Sequence, residues 1–312
     1  MSAGPTGGTA NAGRTSPPPS LGPVLVMGTG AIGGWLGGRL QLAGANVSYV
    51  GRLRVIQALR RSGLRLTDLN GRDDHLPAHQ LDLHERVPAG ARPALVLLCV
   101  KSGATAVAAR ELGERLPAGT LVLSMLNGID NADVARTQAP ALTVLPGMAP
   151  FNVAELAAGA SPDASPNTQP LHLHRGTEGQ LAAQDHPALR AWSALFAAAQ
   201  LPITPHADLR AVQWDKLLLN LNNAVNALSG LPLLAQLQDR DLRRCGAALI
   251  DEALAVLRAA GITPARMSPL PPGWVPQVMR LPTPLNQRIA ELVRGWPQQA
   301  QRWTGPALLD RR

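Results

Sequence analysis

The chain has 312 residues, of which 46% are hydrophobic, too many for one ordinary core and too apolar for disorder, so two packed domains are expected. Its longest apolar run, Ala94 to Val100, is far short of the roughly 20 residues of a bilayer-spanning helix, and no membrane segment is expected. A net charge of +8 would suit nucleic acid or an anionic membrane surface, but the arginines are scattered and aromatics make up only 3%, leaving no base-stacking platform, so neither partner is expected.

Met1 to Gly22 hold small and polar residues with four prolines and almost no large apolar side chain, so residues 1–22 are expected to be a disordered tail. From Val24 the pattern alternates strand and helix. Val24 to Met27 reads as a strand, Ala31 to Ala43 as a helix, Asn46 to Val50 as a strand, Val55 to Arg61 as a helix, and Ala94 to Cys99 as a fully buried strand. Helices over Ser102 to Arg115 and Asn131 to Arg136 then alternate with strands over Thr120 to Ser124 and Leu142 to Leu145. That order predicts an α/β domain over residues 23–205, a parallel sheet covered on both faces. Ser161 to Pro170 reads as a surface loop or hairpin.

Past Pro202 and Pro205 only helical patterns follow: Ala207 to Leu228, about Asp239 to Ala260, and, after a proline-rich turn from Pro264 to Pro284, Leu285 to Gly295. Residues 206–312 are therefore expected to form an all-α domain. His75 and His79 have the spacing of a helical zinc pair, but Pro77 stands between them, and His172 and His174 fit the solvent face of a strand, so no metal site is expected. Cys99 ends the buried strand far in sequence from Cys245, which argues against a disulfide framework and for a cytoplasmic setting. Among 29 cationic side chains only Lys101 and Lys216 are lysine. A lysine can change protonation state or place a compact ammonium in a tight site, as arginine cannot; GC-rich coding bias is the bland alternative.

The first strand runs directly into Gly28, Thr29, Gly30, Ala31, Ile32 and Gly33 and then a helix, the setting that makes G-x-G-x-x-G a dinucleotide-binding fingerprint. Gly28 permits the tight turn, Gly30 admits a pyrophosphate to the backbone, and Gly33 lets the helix pack on the strand; the helix N-terminus attracts the anion. The second strand ends Val50, Gly51, Arg52, with no acid before Asp68. An acid there would hold the ribose hydroxyls of NAD, whereas a guanidinium suits a 2′-phosphate, so the expected cofactor is NADP(H), with Arg52 as its phosphate partner.

Several segments together resemble the ketopantoate reductases (2-dehydropantoate 2-reductases): the glycine loop, Cys99-Val100-Lys101-Ser102, Leu126-Asn127-Gly128, and above all Gln213-Trp214-Asp215-Lys216-Leu217-Leu218-Leu219-Asn220. Their order and spacing fit that family over about residues 24 to 262. The resemblance implies a Rossmann-type NADP-binding domain plus an all-α domain, and reduction of a small 2-keto acid, 2-dehydropantoate to pantoate, on the pantothenate pathway. It places Lys101 and Asn127 against the ribose and nicotinamide, and Asn220 with Asn223 or Asn226 against substrate. On a helix, Lys216, Asn220 and Asn223 lie at i, i+4 and i+7 on one face, which reads as a lined cleft. Carbonyl reduction needs a proton for the developing alkoxide, and Lys216 is the candidate acid.

The family's second asparagine, four residues after the first, is here Ala224. Its Ser-Ser-Met and Thr-Glu-x-Asp segments have no counterpart, and from Gly295 the chain resembles nothing in the family, so the helical domain reads as truncated after about residue 295. The apolar faces this would uncover invite pairing with another chain, and a homodimer stays open. Two other readings also stay open: a truncated or divergent NADP-binding protein without turnover, and a hydroxyacid or opine-type dehydrogenase, for which His206 is the only nearby histidine.

Overall fold

The computed structural model describes residues 21–156, 170–266 and 270–292. Most of the expected tail, the loop from Ser161 to 169 and the whole of the chain past Gly295 lie outside the described residues.

In chain order the first part comprises β1 (Val24–Met27), α1 (Ala31–Leu42), β2 (Val47–Val50), α2 (Leu53–Ser62), β3 (Leu64–Asp68), β4 (Asp73–Leu76), β5 (Asp82–His84), β6 (Leu95–Leu98), α3 (Thr105–Arg115), β7 (Leu121–Ser124), α4 (Asn131–Gln138) and β8 (Thr143–Met148). It continues through β9 (Val153–Leu156), β10 (Leu171–Arg175), β11 (Leu181–Gln184), α5 (Pro187–Arg190), α6 (Ser193–Ala198) and β12 (Ile203–His206). Helices alone follow: α7 (Leu209–Asn220), α8 (Asn222–Ser229), α9 (Leu233–Gln238), α10 (Arg240–Ala259), α11 (Val275–Arg280) and α12 (Thr283–Leu292). No described helix is long and apolar enough to cross a membrane.

The main sheet has the order β12-β11-β8-β7-β6-β1-β2-β5. The strands from β8 through β5 run parallel, while β11 meets β8 antiparallel. All four residues of β1, β6 and β7 are buried. Alternate residues serve opposite cores: Val24, Val26, Leu95 and Leu97 pack on one side, Leu25, Met27, Val96 and Leu98 on the other. Burial on both faces is why these strands read as unbroken apolar runs. At the sheet edge, β12 tolerates Pro205 because an edge strand can spare an N–H, so the proline that reads as a break lies inside a strand.

A second sheet, β4-β3-β10-β9, covers α1. The helix is glycine-rich because the sheet lies so close: a methyl on Gly34 would stand 2.7 Å from Leu173 Cδ1, and one on Gly38 2.7 Å from Leu66 Cδ1. His172 and His174 are partly buried on β10, their rings 2.7 and 2.8 Å from the Thr67 hydroxyl of β3.

The helical region differs from the expected pattern twice. The stretch Ala207 to Leu228 is two helices, not one. Around Leu221 the ladder tightens, Ala224 N–H bonding the Leu221 carbonyl, and the Asn222 side chain exchanges two amide hydrogen bonds with Gln236 of α9. The proline-rich stretch contains α11, which accommodates Pro276 in its first turn, where no intrahelical N–H is lost. Leu218, Ala247, Ile250, Leu254, Leu257, Val275 and Met279 form the core of this region. Arg243 of α10 is 1% exposed, and its guanidinium donates to the carbonyls of Leu237, Gln238, Met279 and Leu281 and to Thr283 Oγ1.

Candidate active site

The loops following β1, β6, β7 and β8 converge at the carboxyl end of the main sheet, where β1 and β6 are neighbours and the strand order reverses. Gly28 has φ +107°, and Gly28 N–H and Thr29 N–H both bond the Val50 carbonyl at 2.9 and 3.0 Å. A methyl on Gly28 would meet Val100 N at 2.6 Å, and one on Gly33 would lie 2.2 Å from the Gly28 carbonyl oxygen. Gly30 is the opposite case: nothing lies within 4 Å of where its Cβ would be. That open space sits on the N-terminus of α1, which has no capping side chain and no acid in its first turn. N–H groups of Ala31, Ile32 and Gly33 therefore face outward without intrahelical carbonyls, the donor set that fits a pyrophosphate. The Thr29 hydroxyl is committed to Val50 O at 3.0 Å, so Thr29 shapes the loop.

Arg52 is exposed at the end of β2, where it precedes α2. Nearby Arg54 reaches Glu155 of β9 at 3.4 Å. Lys101 is exposed just past β6. Asn127 follows β7, and the turn behind it requires Gly128 at φ +96°. Its carbonyl accepts from Asn131 Nδ2 at 2.6 Å and from Ser102 Oγ at 3.3 Å, and Asn131 is held in turn by the Thr105 hydroxyl at 2.8 Å. The β6 and β7 loops are thereby locked together through Asn131, a residue that no motif singles out.

Across from this turn stands α7. Asp208 caps it by accepting from Ala211 N–H, and Trp214 turns its ring into the helical core, which leaves the opposite face for the cleft. Lys216, Asn220 and Gln213 line a narrow cleft against Leu126, Asn127, Gly128 and Met148. Lys216 Nζ donates to the carbonyl of Ala149, just past β8, at 2.5 Å. Burial lowers its pKa to about 8. The structure thus brings Lys216 and Asn220 against Asn127, while Asn223 and Asn226 are not among the residues lining that cleft. Asn223, carried on α8 beyond the break at Leu221, is exposed with Nδ2 3.5 Å from Asn220 Oδ1. Asn226 donates to the Leu231 carbonyl and finishes α8. His206 ends β12 at the sheet edge and is not among the residues lining this cleft. Gln213 heads the segment that resembles the family but has no role assigned there; its position one turn before Lys216 is what marks it.

Comparison with known proteins agrees with this architecture. A family model described as ketopantoate reductase PanE/ApbA matches residues 24–174, and the model of that family's C-terminal part matches 208–273. A 2-dehydropantoate 2-reductase of Halobacterium salinarum is 28% identical over 242 residues, covering 77% of this chain and 76% of the relative. Another of that name from Mesorhizobium japonicum is 26% identical over 260 residues, 77% of each chain. The crystal structure of a PanE/ApbA family ketopantoate reductase from Ralstonia eutropha superposes with a TM-score of 0.67 at 26% identity, covering 89% of this chain and 99% of that one. Matching models over both the sheet domain and the helices, with the glycine loop and Lys216 in place, establish that the chain belongs to the ketopantoate reductase family, oxidoreductases that act on a CH–OH group with a nicotinamide dinucleotide.

Proposed function

We propose that the chain reduces 2-dehydropantoate to pantoate with NADPH. The observation that carries this reading is Lys216, a mostly buried ammonium facing the Asn127 turn at the carboxyl end of a dinucleotide-binding sheet. When bound, the cofactor supplies a hydride to the substrate's C2 carbonyl carbon. The protein supplies the rest. Lys216 directed at the carbonyl oxygen stabilises the negative charge that develops there and passes a proton to it. A pKa of about 8 keeps Lys216 protonated at pH 7 while making it a stronger acid than an exposed lysine. One of its N–H bonds is fixed by Ala149, which orients the ammonium and leaves two donors for substrate. In this reading Asn220, one turn further along the same face, bonds a substrate oxygen, and Asn127 and Lys101 hold nicotinamide and ribose.

NADPH is preferred over NADH in this reading because Arg52 stands at the end of β2 where an NAD site needs an acid. The test follows NADPH absorbance with purified protein and 2-dehydropantoate, beside Lys216→Ala and a cofactor-binding control. Turnover by the parent that collapses in the variant, with cofactor binding retained, supports the reading. Cofactor binding without turnover in the parent would replace it with that of a non-catalytic NADP-binding protein.

A further inference from the structure

Gln213 lies one turn before Lys216 on α7, and Asn220 one turn after it, so the three side chains form a row along the cleft. Gln213 is 8% exposed, yet its side-chain amide makes no hydrogen bond with any described residue. A buried amide left unpaired is costly, so such groups almost always have partners. The amide is not sealed off either: no atom of it is among the fully enclosed unpaired ones, and it lines both the cleft and a neighbouring depression.

We propose that Gln213 is a substrate-binding residue that recognises an uncharged oxygen, the terminal hydroxyl of the keto acid; this rests on the reductase reading given above. An amide offers a donor and an acceptor side by side, matching a hydroxyl that both gives and takes a hydrogen bond. The surroundings argue against the substrate carboxylate at that end. Gln213 also borders a larger depression between α4 and α7, whose cations are already paired: Arg136 with Asp133 at 2.6 Å and Arg210 with Asp133 at 2.5 Å. Asp208 lies there too, its carboxylate turned to the start of α7. Among the described residues no unpaired cation lines the Gln213 side, which suits it to an uncharged group.

The test compares the parent with Gln213→Met, nearly equal in length but unable to form the bonds, on 2-dehydropantoate and on the same keto acid lacking the hydroxyl. The parent's preference for the hydroxylated substrate, as a ratio of kcat/KM, should shrink roughly 10-fold to 100-fold in the variant, mainly through KM. Thermal melting of the variant without ligands should be no lower than the parent's, because no bond within the protein is lost. An unchanged preference, or equal losses on both substrates, would overturn the assignment while parent turnover keeps the reductase reading standing. A lower melting temperature would overturn it as well, showing that the amide supports the fold. Absence of turnover by the parent on either substrate would strike the reductase reading and this assignment with it.

Discussion

Replacing Lys216 with methionine should remove activity and stabilise the protein, and the second effect carries a pH signature. Burial holds the Lys216 pKa at about 8 against an ordinary 10.5, a gap equivalent to about 3 kcal/mol of strain on the charged form in the folded state. Methionine fills similar volume without that charge, but it leaves the Ala149 carbonyl without its donor, which costs about 1 to 2 kcal/mol. The net gain near pH 7 is therefore about 1 to 2 kcal/mol, a few degrees in Tm. Because the folded pKa lies below the unfolded one, the penalty on the parent is full below pH 8. It fades as pH rises toward 10.5, where the unfolded lysine also gives up its proton. Melting both proteins side by side from pH 7 to 10 reads this directly, since the titration of every other group cancels in the difference. A gap between parent and variant that stays constant over that range would refute the argument, because it would mean the ammonium is solvated in the cleft.

Three further predictions concern the cofactor end. Arg52→Ala should reduce the preference for NADPH over NADH roughly 10-fold to 100-fold, read as the ratio of kcat/KM values, because one charge-assisted contact to the 2′-phosphate is lost. Gly30→Ala should fold with an unchanged Tm, as its methyl enters open space, yet weaken NADPH binding at least roughly 10-fold by titration, since that space is where a phosphate must approach. Gly33→Ala should do the reverse and lower Tm through a methyl 2.2 Å from the Gly28 carbonyl, a clash of about 1 to 3 kcal/mol.

The features legible in the sequence are those whose physics is local. A strand buried on both faces must be apolar throughout, so Ala94 to Cys99 announces itself, and a loop wrapped round a phosphate must hold glycine at fixed offsets. The second sheet is silent because β3 and β4 are only five and four residues long and carry Arg65, Asp73 and His75 on their open face. Nothing in the run from Ala207 to Leu228 shows a break, for it has no proline or glycine; the interruption comes from Asn222 pairing with Gln236, fourteen residues away. Asn220 was legible there as part of a motif, while the pairing of Asn223 with Asn220 was not. The roles of Asn131 and Gln213 were not legible for a related reason: the first works through a carbonyl on another loop, and the second is distinguished only by the bond it does not make.

The guanidinium of Arg243 has its donors engaged by four main-chain carbonyls and one hydroxyl, drawn from the ends of α9 and α11 and the start of α12. Backbone oxygens are present whatever side chain a position carries, so positions 237, 238, 279 and 281 can drift in evolution without loosening this clamp. Their drift is limited only by packing. The arginine has no such freedom, because no other side chain sends five N–H groups in one plane toward partners on three segments. One residue thus ties the ends of three short helices, none of which could persist alone, to the long α10, and their docking becomes a single cooperative event.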